Sequence, residues 1–252
     1  MGLLVALISV FIGLGGGIVL VPLMPDVFGI TTHEAVATSL FTIFMVVFLN
    51  AYKFHQSKLI NWSVVLWMGP IAAITAMITA QLASKVDSRV ILYTFLSILC
   101  LVAIRTLFDS LLLTNYHVKE SLSVKQKVFS GFGGAIAGMT SGFVGVGSGV
   151  ILSPVMILLK TVSPKQLSPT ANANMVCATF AATLSNFLSG SPVKWNQWGL
   201  IRWDISLGVF FSVALFAHFL RPHQNKLPFR LKSLILSILL LSLIGKILYR
   251  LS

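Results

Sequence analysis

The chain has 252 residues, 56% of them hydrophobic and only 10% charged, with a net charge of +12 and a mean hydropathy of +0.93. Soluble domains carry about 25% charged residues, so the composition excludes an ordinary soluble fold and points to a polytopic membrane protein. The 18 Lys and Arg stand singly between apolar segments, with no basic face interleaved with aromatics; that sets nucleic acid aside and leaves loop charges that orient spans.

The first element, residues 2–25, is apolar but carries GLGGGIVLVPLM at 13–24. Glycine and proline are the poorest helix formers. A helix over 2–12 rises only about 16 Å, the middle of an about 30 Å hydrocarbon core. Apolar spans follow at 35–52, 62–83 and 90–108, and a polar stretch at 109–127 divides the chain. A second element, 129–160, carries GVGSGVILSPVM at 145–156 and precedes spans at 168–188, 203–220 and 231–249.

The two glycine phrases lie 132 positions apart and share six of twelve residues. Leu59-Ile60-Asn61-Trp62 matches Leu200-Ile201-Arg202-Trp203 at a spacing of 141, which needs an insertion near 190–198. The expected organisation is a first membrane repeat over 1–109, a central loop over 110–128 and a second membrane repeat over 129–252. If both glycine elements cross the bilayer, the basic residues divide ten against eight; if both turn back, they divide twelve against six. The excess of Lys and Arg on cytoplasmic loops favours the second arrangement. The expected fold is therefore an all-α polytopic membrane protein of two inverted repeats, each a Gly-broken, re-entrant helical element plus three transmembrane helices. The central loop is then cytoplasmic, and the location is the plasma membrane (the bacterial inner membrane).

A helix broken inside a bilayer exposes N–H and C=O groups that protein, water or a ligand must satisfy. Half-helices starting at Gly17 and Gly149 would aim free N–H groups and positive dipole ends at the centre, which suits an anion. The candidate substrate-binding residues are Gly15, Gly16, Gly17, Gly147, Ser148 and Gly149. Hydroxyls and amides in the following spans join them: Thr38, Ser39 and Thr42 in one half, Thr170, Asn172 and Asn174 in the other. Gly134, Gly138 and Gly142, spaced by four, read instead as a helix-packing stripe, on which Gly134→Ala is expected to be mild. Arg202 and Asp204 flank Trp203 as an interfacial anchor. Cys100 and Cys177 form neither a disulfide framework nor a metal spacing. No Walker A lysine follows either glycine cluster, and no acid, base or nucleophile constellation lies at membrane depth. Neither an enzyme nor a metal or cofactor is expected.

GLGGGIVLVP with Ala37-Thr38-Ser39-Leu40, and GVGSGVILSP with Pro169-Thr170-Ala171-Asn172, resemble the paired signatures of the sulfite exporter TauE/SafE family. The two Leu-Ile-x-Trp sequences resemble that family's element before the third span of each half. The resemblance covers essentially the whole chain. It implies a permease or exporter for small organosulfur anions such as sulfite or short sulfonates. The expected partners are a small anionic substrate and the lipid bilayer, a homodimer being left open. A passive anion channel and a non-transporting assembly protein stay open as alternatives.

Overall fold

The computed structural model describes residues 16–112, 123–189, 196–220 and 240–248. Gly13 and Gly15, the 2–12 segment and the first residues of the expected 231–249 span lie outside them. Among the described residues the chain forms nine helices, and its only extended pairing is an isolated Trp198–Ile201 bridge. They are α1 (Gly17–Phe28), α2 (Thr32–Gln56), α3 (Trp62–Ala83), α4 (Ser88–Leu112), α5 (Val124–Val144), α6 (Gly149–Leu158), α7 (Pro164–Leu188), α8 (Trp203–Leu220) and α9 (240–248).

Local chemistry explains the starts. Thr31 caps α2, and Glu34 Oε2 accepts from the Thr31 N–H and hydroxyl at 2.8 and 2.9 Å. In the second half Gln166 Oε1 accepts from the same two groups of Ser163, and Pro164 stands at the first helical position, where its missing N–H costs nothing. As a result α2 and α7 are both 25 residues long and begin and end 132 positions apart. Each is closed by a serine, Ser57 or Ser189, whose hydroxyl donates to the carbonyl four residues back. A Ser123–Gln126 capping box starts α5 five residues before the expected 129, while α4 runs on to Leu112. The polar divide is correspondingly shorter than 109–127.

The helices pack on small residues. Gly134, Gly138 and Gly142 of α5 lie against Met68, Ala72 and Ala76 of α3, a constant offset that makes the two helices parallel. The opposite pattern joins α5 to α6: Gly133 meets Val155, and Gln126 Nε2 donates to the Leu159 carbonyl at 2.9 Å. The pair is thus an antiparallel hairpin turning at 145–148. Here the structure corrects the expectation for Gly134→Ala. A Cβ at Gly134 would sit 2.8 Å from the Met68 carbonyl oxygen, which as backbone cannot rotate away.

Two ends can be distinguished. At one, Gln197 Nε2 donates to Glu34 Oε1 at 3.1 Å, His33 Nε2 donates to the Val86 carbonyl at 2.9 Å, and Lys246 pairs with Asp26 at 2.6 Å. At the other, Gln126 reaches Leu159, and Lys127 Nζ lies 5.2 Å from the Trp67 ring centre. The Arg202–Asp204 anchor forms as a two-point ion pair at 3.1 and 2.8 Å beside Trp203.

Between the ends the outer surface is apolar. Leu66, Ile74, Ile78 and Leu82 are exposed on α3, opposite buried Met68, Ala72, Ala76 and Ala80. Val124, Val128, Phe132 and Ile136 do the same on α5. In water such stripes would be a large exposed apolar patch; in lipid they carry no such cost. Among the described residues α2 and α3 are the two helices that combine the length and hydropathy of a span.

Candidate functional site

The site is built where the two glycine phrases touch. Gly16 takes φ +76°, a left-handed conformation open to glycine, and α1 starts at the next residue. In the second half Gly145 (φ +76°) and Gly147 (φ +89°) reverse the chain between α5 and α6. Gly17 lies directly on that reversal: a Cβ there would be 2.7 Å from the Val146 oxygen and 2.8 Å from the Gly145 oxygen. Backbone therefore meets backbone, an approach only glycine permits. Ser39 stitches the contact by donating its hydroxyl to the Gly145 carbonyl at 2.9 Å. From this point α1 leads towards the Glu34 end and α6 towards the Gln126 end. Two helix N-termini, each equivalent to roughly half a positive charge, are thereby brought together.

Among the described residues every buried polar side chain is Ser, Thr or Asn; no Asp, Glu, Lys, Arg or His is buried. No group of three or more His, Cys, Asp or Glu capable of holding a metal occurs among those residues either. Ser148, at the N-cap of α6, is fully buried, yet its hydroxyl makes no capping bond and has no hydrogen-bond partner there.

The structure brings Gly16, Gly17, Ser39, Gly147, Ser148 and Gly149 together, with Gly15 outside the described residues. It puts the other candidates elsewhere. The Thr38 hydroxyl accepts from the Arg202 N–H at 3.1 Å, and the Thr170 hydroxyl accepts from the Asn61 N–H at 3.1 Å. Asn61 and Arg202 are the matched third positions of the two Leu-Ile-x-Trp sequences, so each half clamps the other half's next helix start. The two threonines lie five residues, about 7.5 Å of helix, from Ile43 and Met175, which flank the contact. Thr42 and Asn174, also 132 apart, donate to the Thr38 and Thr170 carbonyls. Asn172 donates to the Ser168 carbonyl of its own helix. The Asn174 Oδ1 is buried without a partner and faces Gly69 of α3.

These bonds carry a testable consequence. Thr38→Val and Thr170→Val each leave a part-buried backbone N–H without its acceptor, at a cost of about 0.5–1.5 kcal/mol, and should lower the melting temperature in detergent. Thr→Ser, which keeps the oxygen, should not. Equal melting of the valine and serine variants would remove the clamp.

Ile43 and Met175 escaped the sequence reading. Large apolar residues inside spans read as generic core, and only their shared spacing of 132 could have singled them out. In the structure they stand over Gly17 and Gly149 respectively.

Comparison with known proteins places the chain among membrane transporters. The model of the family described as sulfite exporter TauE/SafE matches residues 1–245. A probable membrane transporter protein of Methanocaldococcus jannaschii is 25% identical over 63% of this chain and 60% of its own length. Others from Haemophilus influenzae and Bacillus subtilis are 26% and 28% identical over 69% and 64% of this chain. The matched regions span 60–65% of the length of these relatives. No solved structure matches the chain. With the family model extending over both glycine phrases, both clamps and the apolar outer stripes, the chain belongs to the sulfite exporter TauE/SafE family.

Proposed function

We propose that the chain is a secondary transporter of small organosulfur anions, such as sulfite or short sulfonates, working by alternating access around the contact of the two glycine phrases. The observation that carries this is the meeting of two half-helix N-termini with, among the described residues, no buried carboxylate or cation beside them. Backbone N–H groups, the Ser148 hydroxyl and the two dipole ends can hold a small oxyanion. The absence of a fixed Lys or Arg lets it leave again. Ser39 supports the turn that carries these donors, while Thr38, Thr170, Asn172 and Asn174 hold the helices around it.

Inverted repeats fit this mechanism. Residues 26–34, 86, 197 and 246 share one end, and residues 126, 127 and 159 share the other. If both glycine elements crossed fully, Asp26 and Lys246, or Gln126 and Leu159, would lie on opposite faces. The contacts support the re-entrant arrangement, with three crossings per half; the Lys/Arg bias of the loops supports a cytoplasmic central loop, and the bacterial inner membrane is part of this proposal.

The test is counterflow of labelled sulfite in proteoliposomes. Uptake is expected to saturate, to be inhibited by short sulfonates, and to be unaffected by a cationic amine of similar size. Non-saturating flux would indicate a channel, and inhibition by the amine would sink the anion site.

A further inference from the structure

Two side chains with no role in the anion reading cover the glycine contact. Ile43 of α2 and Met175 of α7 occupy positions 132 apart, and both are fully buried. The Cβ position at Gly17 lies 2.5 Å from Ile43 Cδ1, and that at Gly149 lies 2.5 Å from Met175 Sδ. They converge on Gly147, whose Cβ position is 2.9 Å from Met175 Cε and 3.6 Å from Ile43 Cγ2. The Gly149 start is thus covered by the Met175 thioether alone, whereas the Gly17 start is covered by Ile43 together with the Gly145 and Val146 carbonyl oxygens. Beside that cover, the Ser148 hydroxyl is buried and unpartnered. With Met175 this close to Gly147 and Gly149, a ligand bound at the α6 start needs the thioether to move aside.

The two covers are not equally movable. Ile43 is β-branched and held in one strongly preferred rotamer in a helix. Met175 is unbranched, turns about three bonds and tolerates irregular surroundings. Rotation of Met175 alone clears Gly149 and removes the nearer of the two contacts at Gly147, whereas Gly17 stays pressed by the Gly145 and Val146 carbonyls however Ile43 turns.

We propose that Met175 is the lid of the anion site and its size-selecting residue. Its side chain leaves Gly147–Gly149 as the anion enters, and the volume it vacates sets how large a tail behind the oxyanion head is admitted. This rests on the anion-transport reading above. An oxyanion head takes the N–H groups at the α6 start and the Ser148 hydroxyl, so an alkyl tail competes with the thioether for the same space.

Kinetics in proteoliposomes test the size selection. Met175→Ala should raise kcat/KM for propane-1-sulfonate relative to sulfite by about ten-fold or more, the scale of a methylene's fit in an apolar pocket. Met175→Leu keeps the bulk and should leave the ratio unchanged. A wild-type ratio in Met175→Ala overturns the proposal. A second measurement needs no assumption about cargo. Met175→Cys, in a Cys100→Ser, Cys177→Ser background, should react with the small anionic reagent 2-sulfonatoethyl methanethiosulfonate, and saturating sulfite should slow that reaction. If the introduced thiol stays unmodified while one introduced by Ser57→Cys at the exposed end of α2 reacts fully, the lid is overturned. Reaction at position 175 without sulfite protection or saturable sulfite flux would uphold the lid and defeat the sulfite reading.

Discussion

Gly138→Ala and Gly142→Ala will prevent α3 and α5 from closing on each other. A Cβ at Gly138 would lie 2.8 Å from Ala72 Cα and collide with the Ala72 carbonyl and the Thr75 hydroxyl. At Gly142 it would lie 2.9 Å from the Ala76 carbonyl carbon and collide with that carbonyl's oxygen and the Thr79 hydroxyl. Most of these neighbours are backbone, so relief comes only by separating the helices. Overpacking of this kind costs about 1–3 kcal/mol or more, and parting the helices also forfeits dispersion contacts along the whole seam. Each variant should therefore give a lower yield of monodisperse protein and a melting point several degrees lower. Gly208→Ala is the control: nothing lies within 4 Å of its Cβ position, and alanine is about 1 kcal/mol the better helix former. Melting of Gly138→Ala at the wild-type temperature would show that the helix seam is looser than described.

At the centre, Gly17→Ala is expected to harm transport far more than Gly149→Ala, although the two positions are matched in the repeat. The added methyl at Gly17 meets the Val146 and Gly145 oxygens at 2.7 and 2.8 Å, both backbone of the other half. At Gly149 it meets Met175 Sδ, the far end of a flexible side chain that can turn aside. A crowding cost of about 1–3 kcal/mol at Gly17 lowers the population of the assembled centre by about five-fold to about 160-fold. Sulfite counterflow at matched expression is the measurement. Leucine at either position should abolish flux, because it covers the N–H groups beneath. If Gly17→Ala and Gly149→Ala lost activity equally, the backbone contact between the phrases would not be the element that transport requires.

Much of this arrangement is legible from the residues. The offset of 132 between the glycine phrases carries through to the helix limits of α2 and α7, because the capping groups, Thr31 with Glu34 and Ser163 with Gln166, act within one turn. The stripe at Gly134, Gly138 and Gly142 is legible as a packing face, since spacing by four lines up one side of a helix. How tightly that face packs is not legible. The expected mildness of Gly134→Ala conflicts with the 2.8 Å approach to the Met68 oxygen, because sequence periodicity gives a face but not the distance to whatever lies opposite.

What the sequence by itself determined is the set of local and one-dimensional properties: an apolar chain for a bilayer, the order of its helical segments, the offset of 132 between its glycine phrases, and the places where glycine interrupts it. These follow from composition, capping and conformational freedom within a few residues. Which polar group faces which was decided only by tertiary structure. The Thr38 and Thr170 hydroxyls meet backbone N–H groups 164 and 109 residues away; the Asn174 oxygen faces Gly69, and Ile43 and Met175 close over the glycine starts. A threonine inside a span has the same sequence signature whether its partner is an anion, water or a distant amide. That partner is chosen by how non-adjacent helices pack, and packing depends on contacts that no local pattern encodes.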